Sequence, residues 1–422
     1  MSDYSVLLLA YGQSNADLYP SIPALPCPAF DDPRIVTFDD GNAFRGLLGA
    51  VAKQPPTALV PAAAASYETK KCRDYQSFQI AAAARLLRER GVNAPHRVIV
   101  RAEGRGGRRF HGIISKKGQH VEGILNNADG SDSQILLNMF QTIRQAAELA
   151  AGQGAPLRRV IVNFLHGEAD RSTETAQYRD NLLTLISRTE EVTQAFGLAT
   201  DWLILDPAGT SITGSGNSWP CRLAMRDVAD ATANVHLIGA GYGYPLDDVI
   251  HYGSEARALF GEHFGLAAAE LLARADGGKT DDGWLLDAPG IRRAVFHGNA
   301  VDLHLDGTRH FELVPGISDP NLTVEGFAAT IHSRCRVIAA EQTGPRSVRV
   351  TLDGTPYDNP RAALTYAYQM VHREDARLDT PMPAGRGGWR SVRAMDSMVL
   401  PGRRIHQWVP GFSIPFAEME QG

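Results

Sequence analysis

The sequence predicts an α/β protein, a parallel sheet covered by helices and followed by a smaller β-rich domain. Three observations carry this. From the start to about residue 275, short β-rich runs alternate with longer amphipathic segments, the pattern of strand and crossover helix. The first run, Val6 to Leu9, is apolar without alternation, which suits a strand buried on both faces. After Ala275 the texture changes: DGGKTDDG reads as a loop or linker, and helical periodicity mostly disappears beyond it. The predicted division is residues 1–278 and residues 279–422, in keeping with a length of 422 residues that exceeds what one hydrophobic core usually serves.

The expected strands of the first part are 5–10, 34–38, 97–102, 159–165, 201–205 and 236–239. Between and after them lie the helical stretches SFQIAAAARLLRER, SQILLNMFQTIRQAAELAAG, TETAQYRDNLLTLISRTEEVTQAFG and SEARALFGEHFGLAAAELLARA. Each repeats apolar residues at three- and four-residue spacing and ends near glycine or a polar stretch. In the second part AVFHGNAVDLHLDGTRHFELV reads as short strands broken by Gly and Asn turn residues. RSVRVTLDGTPYDN and SMVLPGRRIHQWVPGFSIPF continue in that style, and a sandwich is the expected arrangement. ALTYAYQMVH fits either strand or helix.

A formal net charge of -5 gives no reason to expect nucleic acid or an anionic membrane as partner. MSDYSVLLLAYGQSN has no basic leader, and its apolar run is too short to span a bilayer. The expectation is a cytoplasmic chain, or one belonging to an assembly exported by a route other than Sec. Cys27, Cys72, Cys221 and Cys335 are scattered without a CxxC pair, so free thiols in a reducing compartment are expected.

In an open parallel sheet, ligands bind outside the carboxyl ends of the strands, and four post-strand segments there carry chemistry. GQSN follows the first strand and ends it on small and polar residues suited to a sharp turn. A serine in such a turn presents its hydroxyl outward and its N–H toward a developing oxyanion, although most turn serines are simple caps. DDVIHYG sets Asp248 three residues before His251, so the carboxylate can hold one imidazole nitrogen while the other acts as a general base. The plain alternative is an acidic cap on the helix beginning near Ser254. HGEAD brings Glu168, which suits a substrate hydroxyl, the histidine in place of Asp248, or backbone amides of its own turn. EGRGGRR offers Gly106 or Gly107 as a second oxyanion donor, or is simply a glycine-rich turn.

Taken in order, GQSN, the GG pair, HGExD and DxxHYG resemble the SGNH hydrolases, and more narrowly the branch of sialate O-acetylesterase-like and acetylxylan esterase-like carbohydrate esterases. The resemblance covers roughly residues 5–265. It implies a three-layer α/β/α, flavodoxin-like fold and an acyl-enzyme mechanism without metal or cofactor, acting on a glycan or small-molecule ester. It makes Ser14 the nucleophile, His251 the base and Asp248 the orienting acid, with Glu168 as rival for the acid role. It implies an oxyanion hole from the Ser14 N–H, a glycine N–H of Gly106 or Gly107, and a polar side chain, with Gln13, Asn15 and His166 as further candidates. This chain departs from the branch in carrying His166 where a glutamine is usual, and Arg108 and Arg109 where small hydroxyl residues are usual. A neutral histidine still donates one hydrogen bond. The arginines read either as a solvated basic turn or as partners for an anionic group on the substrate, with Arg108 the candidate contact.

Other readings are weaker. EGRGGRR and GAGYGYP lack the third glycine of a dinucleotide loop, replaced by Arg109 and Tyr244. HGE and Pro220-Cys221 evoke a zinc deaminase, but Ala224 stands where the second cysteine is required. A metal hydrolase built on His166, Glu168 and Asp170 stays open. The non-enzymatic alternative is a carbohydrate-binding or structural assembly protein on an esterase scaffold whose site no longer works.

Overall fold

A computed structural model describes residues 3–16, 25–41, 55–62, 78–208, 219–248, 250–278, 285–318, 323–368 and 386–422. Its main sheet has seven strands. In chain order these are β1 (Ser5–Gly12), β2 (Ile35–Phe38), β3 (Leu59–Pro61), β4 (Arg97–Ala102), then, past a small hairpin of β5 (Ile113–Ile114) and β6 (His120–Val121), β7 (Leu157–Leu165), β8 (Ala199–Asp206) and β9 (Val235–Ala240). They lie in the order β3-β2-β4-β1-β7-β8-β9, all parallel except the antiparallel edge pair β2 and β3. All six expected strands are present. Four run past their apolar cores because backbone pairing with parallel neighbours continues there, as in Tyr11 opposite Phe164 and Gly12 opposite Leu165.

Alternate residues of β1 feed two separate cores. Val6, Leu8 and Ala10 pack with α1 (Phe78–Arg90) and the later helix α5 (Ser254–Ala275). Leu7, Leu9 and Tyr11 pack with α2 (Gln134–Gly152), α3 (Thr175–Gln194) and α4 (Pro220–Ala231). Both faces of the sheet are therefore covered, which is why the strand reads as a continuous apolar run. The helix α4 was not among the expected elements, although its buried apolar residues keep helical spacing. Its apolar face is only Cys221, Ala224, Met225 and Val228, and a charged residue, Arg222, is buried beside them. The three-residue edge strand β3 was also unforeseen, being too short for a pattern.

The β-rich part contains β10 (Ile291–His297), β11 (Ala300–Leu305), β12 (Phe311–Leu313), β13 (Phe327–Ala329), β14 (Val337–Gly344), β15 (Ser347–Leu352), β16 (Ala363–Tyr366), β17 (Trp389–Asp396), β18 (Arg404–Trp408), β19 (Phe412–Pro415) and β20 (Glu420–Gln421). These form three sheets, β14-β15-β11-β10-β20, β12-β17-β18 and β13-β16-β19, in place of the two of a simple sandwich. In β11 and β15 burial alternates along the strand, one face toward the core and one toward water. Of ALTYAYQMVH, residues 363–366 are strand and the stretch from 369 lies outside the described residues, as does most of the linker.

This part joins the same core as the α5 face of the main sheet, through Tyr366, Trp389, Trp408 and Val409 among others. Polar contacts reinforce the seam. Tyr242 donates to the Val409 carbonyl at 2.5 Å, and Gln407 Nε2 donates to the Ile238 carbonyl at 3.0 Å. Cys27, Cys221 and Cys335 are free thiols, and Cys72 lies outside the described residues. Among the described residues no helix is long and apolar enough to cross a membrane.

Candidate active site

The site forms where β1, β4, β7 and β9 end. Gly12 closes β1 with φ at +134°, and a Cβ there would run into the Leu165 carbonyl oxygen of β7, so only glycine lets the two strand ends approach this closely. The chain then turns: Gln13 N–H donates to Leu165 O at 3.0 Å and Ala16 N–H to Gln13 O at 2.9 Å. Gln13 Oε1 accepts the Ala169 N–H at 2.8 Å, tying this turn to the loop after β7. Ser14, at the apex, keeps 6% of its surface exposed.

The hydroxyl meets the predicted imidazole. Ser14 Oγ lies 3.0 Å from His251 Nε2, and His251 Nδ1 lies 2.7 Å from Asp248 Oδ2. The other carboxylate oxygen accepts the N–H of Ile250 at 2.7 Å and of His251 at 2.6 Å. Burial raises the Asp248 carboxyl, but the His251 ring and these two amides more than offset it and hold it below its usual value. An ionised Asp248 only accepts, so the His251 Nδ1–H donates to it and Nε2 faces the Ser14 hydroxyl.

The loop after β4 runs beside the serine. Arg105 N–H donates to Gly12 O at 3.1 Å, and a Cβ at Gly106 would stand 3.6 Å from Ser14 Cβ. Among the described residues no acceptor takes the N–H of Ser14 or of Gly106. Gly107 follows with φ at +68° and open space around it.

The remaining candidates lie beneath this row. Asn15 is fully buried and donates from Nδ2 to Glu168 Oε1 at 2.6 Å. Burial raises the Glu168 carboxyl, only partly countered by its own amide, Asn15, His251 and Arg222. Its Oε2 is buried without a hydrogen-bond partner among the described residues. His166 donates from Nε2 to the Arg108 carbonyl at 3.1 Å and accepts at Nδ1 from the Tyr178 hydroxyl at 2.9 Å. Burial lowers its pKa against the opposing pull of Asp170 and the Arg108 carbonyl, so the ring is neutral. With both nitrogens engaged, it props the 105–109 loop from below. Asp170 accepts the Phe110 N–H at 2.7 Å and the Thr173 hydroxyl at 3.0 Å. The hydrogen bonds of His166, Glu168 and Asp170 go to different partners, although His166 Nε2 lies 3.8 Å from Asp170 Oδ2, and among the described residues no group of three such side chains is arranged to hold a metal ion. Arg108 is half-buried and its Nε has no partner among the described residues, while Arg109 is exposed.

One residue of the site escaped the sequence reading. Arg257, in the first turn of α5, is 2% exposed and among the described residues bonds the backbone carbonyls of Tyr252 at 3.1 Å, Asn15 at 3.3 Å and Ser14 at 3.3 Å. The available signal was an arginine set among Ala256, Ala258 and Leu259 on a helix otherwise turned to the core.

No protein-family model matches this chain, and no curated protein matches it in sequence. Among solved structures, the chain is similar to the crystal structure of NanS, at 15% identity and a TM-score of 0.41 over 65% of this chain and 99% of that one. It is also similar to an Arabidopsis thaliana protein solved by X-ray diffraction, at 16% identity and a TM-score of 0.40 over 62% of this chain and 96% of that one. Likenesses this loose carry no functional argument, which rests on the geometry of the site itself.

Proposed function

We propose that the chain is a serine ester hydrolase of the SGNH type that removes an acyl group, acetyl above all, from a carbohydrate or related alcohol. The observation that carries this is the hydrogen-bonded row Ser14 Oγ, His251 Nε2, His251 Nδ1 and Asp248 Oδ2, at 3.0 Å and 2.7 Å. The central strands support the flavodoxin-like arrangement: β4-β1-β7-β8-β9 stand in the order 2-1-3-4-5 counted among themselves. The site residues all fall within 1–278, the part we assign to the hydrolase, and the described residues after 285 pack on the α5 face of its sheet. Acetyl and sugar come from the motif resemblance.

In this reading His251 takes the Ser14 proton as the hydroxyl oxygen attacks the ester carbonyl. The N–H groups of Ser14 and Gly106 receive the oxyanion. Asp248 holds the ring in the required tautomer and stabilises the imidazolium. His251 then protonates the leaving alcohol, and the acyl group stays on Ser14. A water molecule, deprotonated by the same imidazole, attacks the acyl-enzyme, releases the acid and restores the hydroxyl. His166, whose two nitrogens are engaged, contributes by holding the loop that carries Gly106.

The test is turnover of p-nitrophenyl acetate by the wild type and by Ser14→Ala. The expected loss in kcat is on the order of a million-fold. Equal turnover by both would overturn the assignment.

A further inference from the structure

The hydroxyl and the imidazole belong to segments 237 residues apart, so noncovalent contacts alone fix their separation. Asn15 supplies such contacts on both sides of the histidine. Its Nδ2 donates to the Ile250 carbonyl at 3.1 Å, and its Oδ1 faces the Tyr252 N–H at 3.4 Å. Ile250 and Tyr252 flank His251. The second Nδ2 contact goes to Glu168 Oε1 at 2.6 Å, the shortest bond that this side chain makes. Arg257 adds a second tier along the same seam, joining the Ser14 and Asn15 carbonyls to that of Tyr252.

Glu168 is the unusual member. It is 3% exposed, and its other oxygen, Oε2, is buried with no hydrogen-bond partner among the described residues. A carboxylate buried this way is costly unless its contacts repay it, and its side-chain partner here is Asn15. We propose that Asn15 is a positioning residue and Glu168 the acceptor that orients it. Together they hold the 250–252 segment on the nucleophile turn so that His251 Nε2 stays within reach of Ser14 Oγ. This rests on the reading of Ser14 and His251 as nucleophile and base. It gives Glu168 a part in the reaction without contact with substrate or with the imidazole.

Glu168→Gln keeps an oxygen acceptor for Asn15, and Glu168→Ala removes it. Misplacing a reacting pair by about 1 Å costs on the order of 100-fold. With p-nitrophenyl acetate, Asn15→Ala and Glu168→Ala are expected to lose about 10- to 100-fold in kcat with little change in KM. Their inactivation by a fluorophosphonate should slow by the same factor, because the activation of Ser14 is what suffers. Glu168→Gln should recover to within about a few-fold of wild type, as expected where the lost charge matters less than the kept hydrogen bond. Equal loss in Glu168→Gln and Glu168→Ala would overturn the proposal, as would wild-type rates in Glu168→Ala. If Asn15→Ala does not fold, the two Glu168 variants decide the matter by themselves. A wild type with no esterase activity would instead bring down the underlying reading, whereas an active wild type with active Asn15→Ala and Glu168→Ala variants would bring down only the clamp.

Discussion

The segment after β9 and the loop after β7 each bring a carboxylate toward the same serine and histidine, and they treat it in opposite ways. Asp248 is half exposed, with 47% of its side chain reaching solvent, and three hydrogen-bond donors hold its pKa low. Glu168 is buried, raised by desolvation, and bonded to an amide in place of the imidazole. Proximity to a histidine therefore does not make a carboxylate its orienting acid. In the proposed reaction that role needs a lone pair on the Nδ1 side of the ring and a charge that persists, and of the two carboxylates Asp248 is the one bonded to Nδ1 and held below its usual pKa. The buried position suits a different task, a fixed acceptor that orders neighbouring donors.

The sharpest way to break this contrast is to neutralise each acid in turn. Asp248→Asn should lower kcat by about 10,000-fold, the scale seen when a triad acid becomes an amide and the histidine takes the wrong tautomer. Glu168→Gln should stay within about a few-fold of wild type. Steady-state turnover of p-nitrophenyl acetate reads both, and a reversal of the two effects would exchange the roles of the acids. The clamp variants Asn15→Ala and Glu168→Ala fall between these extremes, at about 10- to 100-fold.

A smaller effect sharpens the buried side of the comparison. Asp206, at the end of β8, is buried beside Arg222, whose charge also acts on Glu168. Burial pushes its carboxyl up to about 6 from 3.8, against the pull of Arg222 and the Gly411 N–H. The folded state thus binds this proton more tightly than the unfolded chain. The linked stability is complete below the unfolded value of 3.8 and is lost as pH rises through about 6. Asp206→Asn removes the titration. The Tm of wild type minus that of the variant should therefore fall by about a few degrees between pH 4 and pH 6.5, measured by calorimetry. A difference independent of pH would contradict the assignment.

Much of this architecture could be read from the chain because each main strand is buried on both faces, as in Val6 to Leu9. The long helices α2, α3 and α5 also announce themselves by period. The helix α4 went unforeseen although Cys221, Ala224, Met225 and Val228 keep the same three- and four-residue spacing; it is only twelve residues long, and one of its buried positions is an arginine whose partner, Asp206, lies on a different element. The contact of Ser14 with His251 was legible from motif order, whereas the different partners of Asp248 and Glu168 were not. Spacing within HGEAD says nothing of which side chain waits across the turn. Glu168 met Asn15, a residue 153 positions away, and only the fold brings those two together. The contacts of Arg257 were hidden for the same reason, because its partners among the described residues include backbone carbonyls, which carry no sequence signal.

The central claim is that the Ser14 hydroxyl is the activated nucleophile. The most direct measurement is to treat the wild-type chain with a fluorophosphonate and map the modified residue by mass spectrometry, with Asp248→Asn in parallel. The account predicts a single adduct on Ser14, formed far more slowly in Asp248→Asn. An adduct on another residue, or none at all, would contradict it.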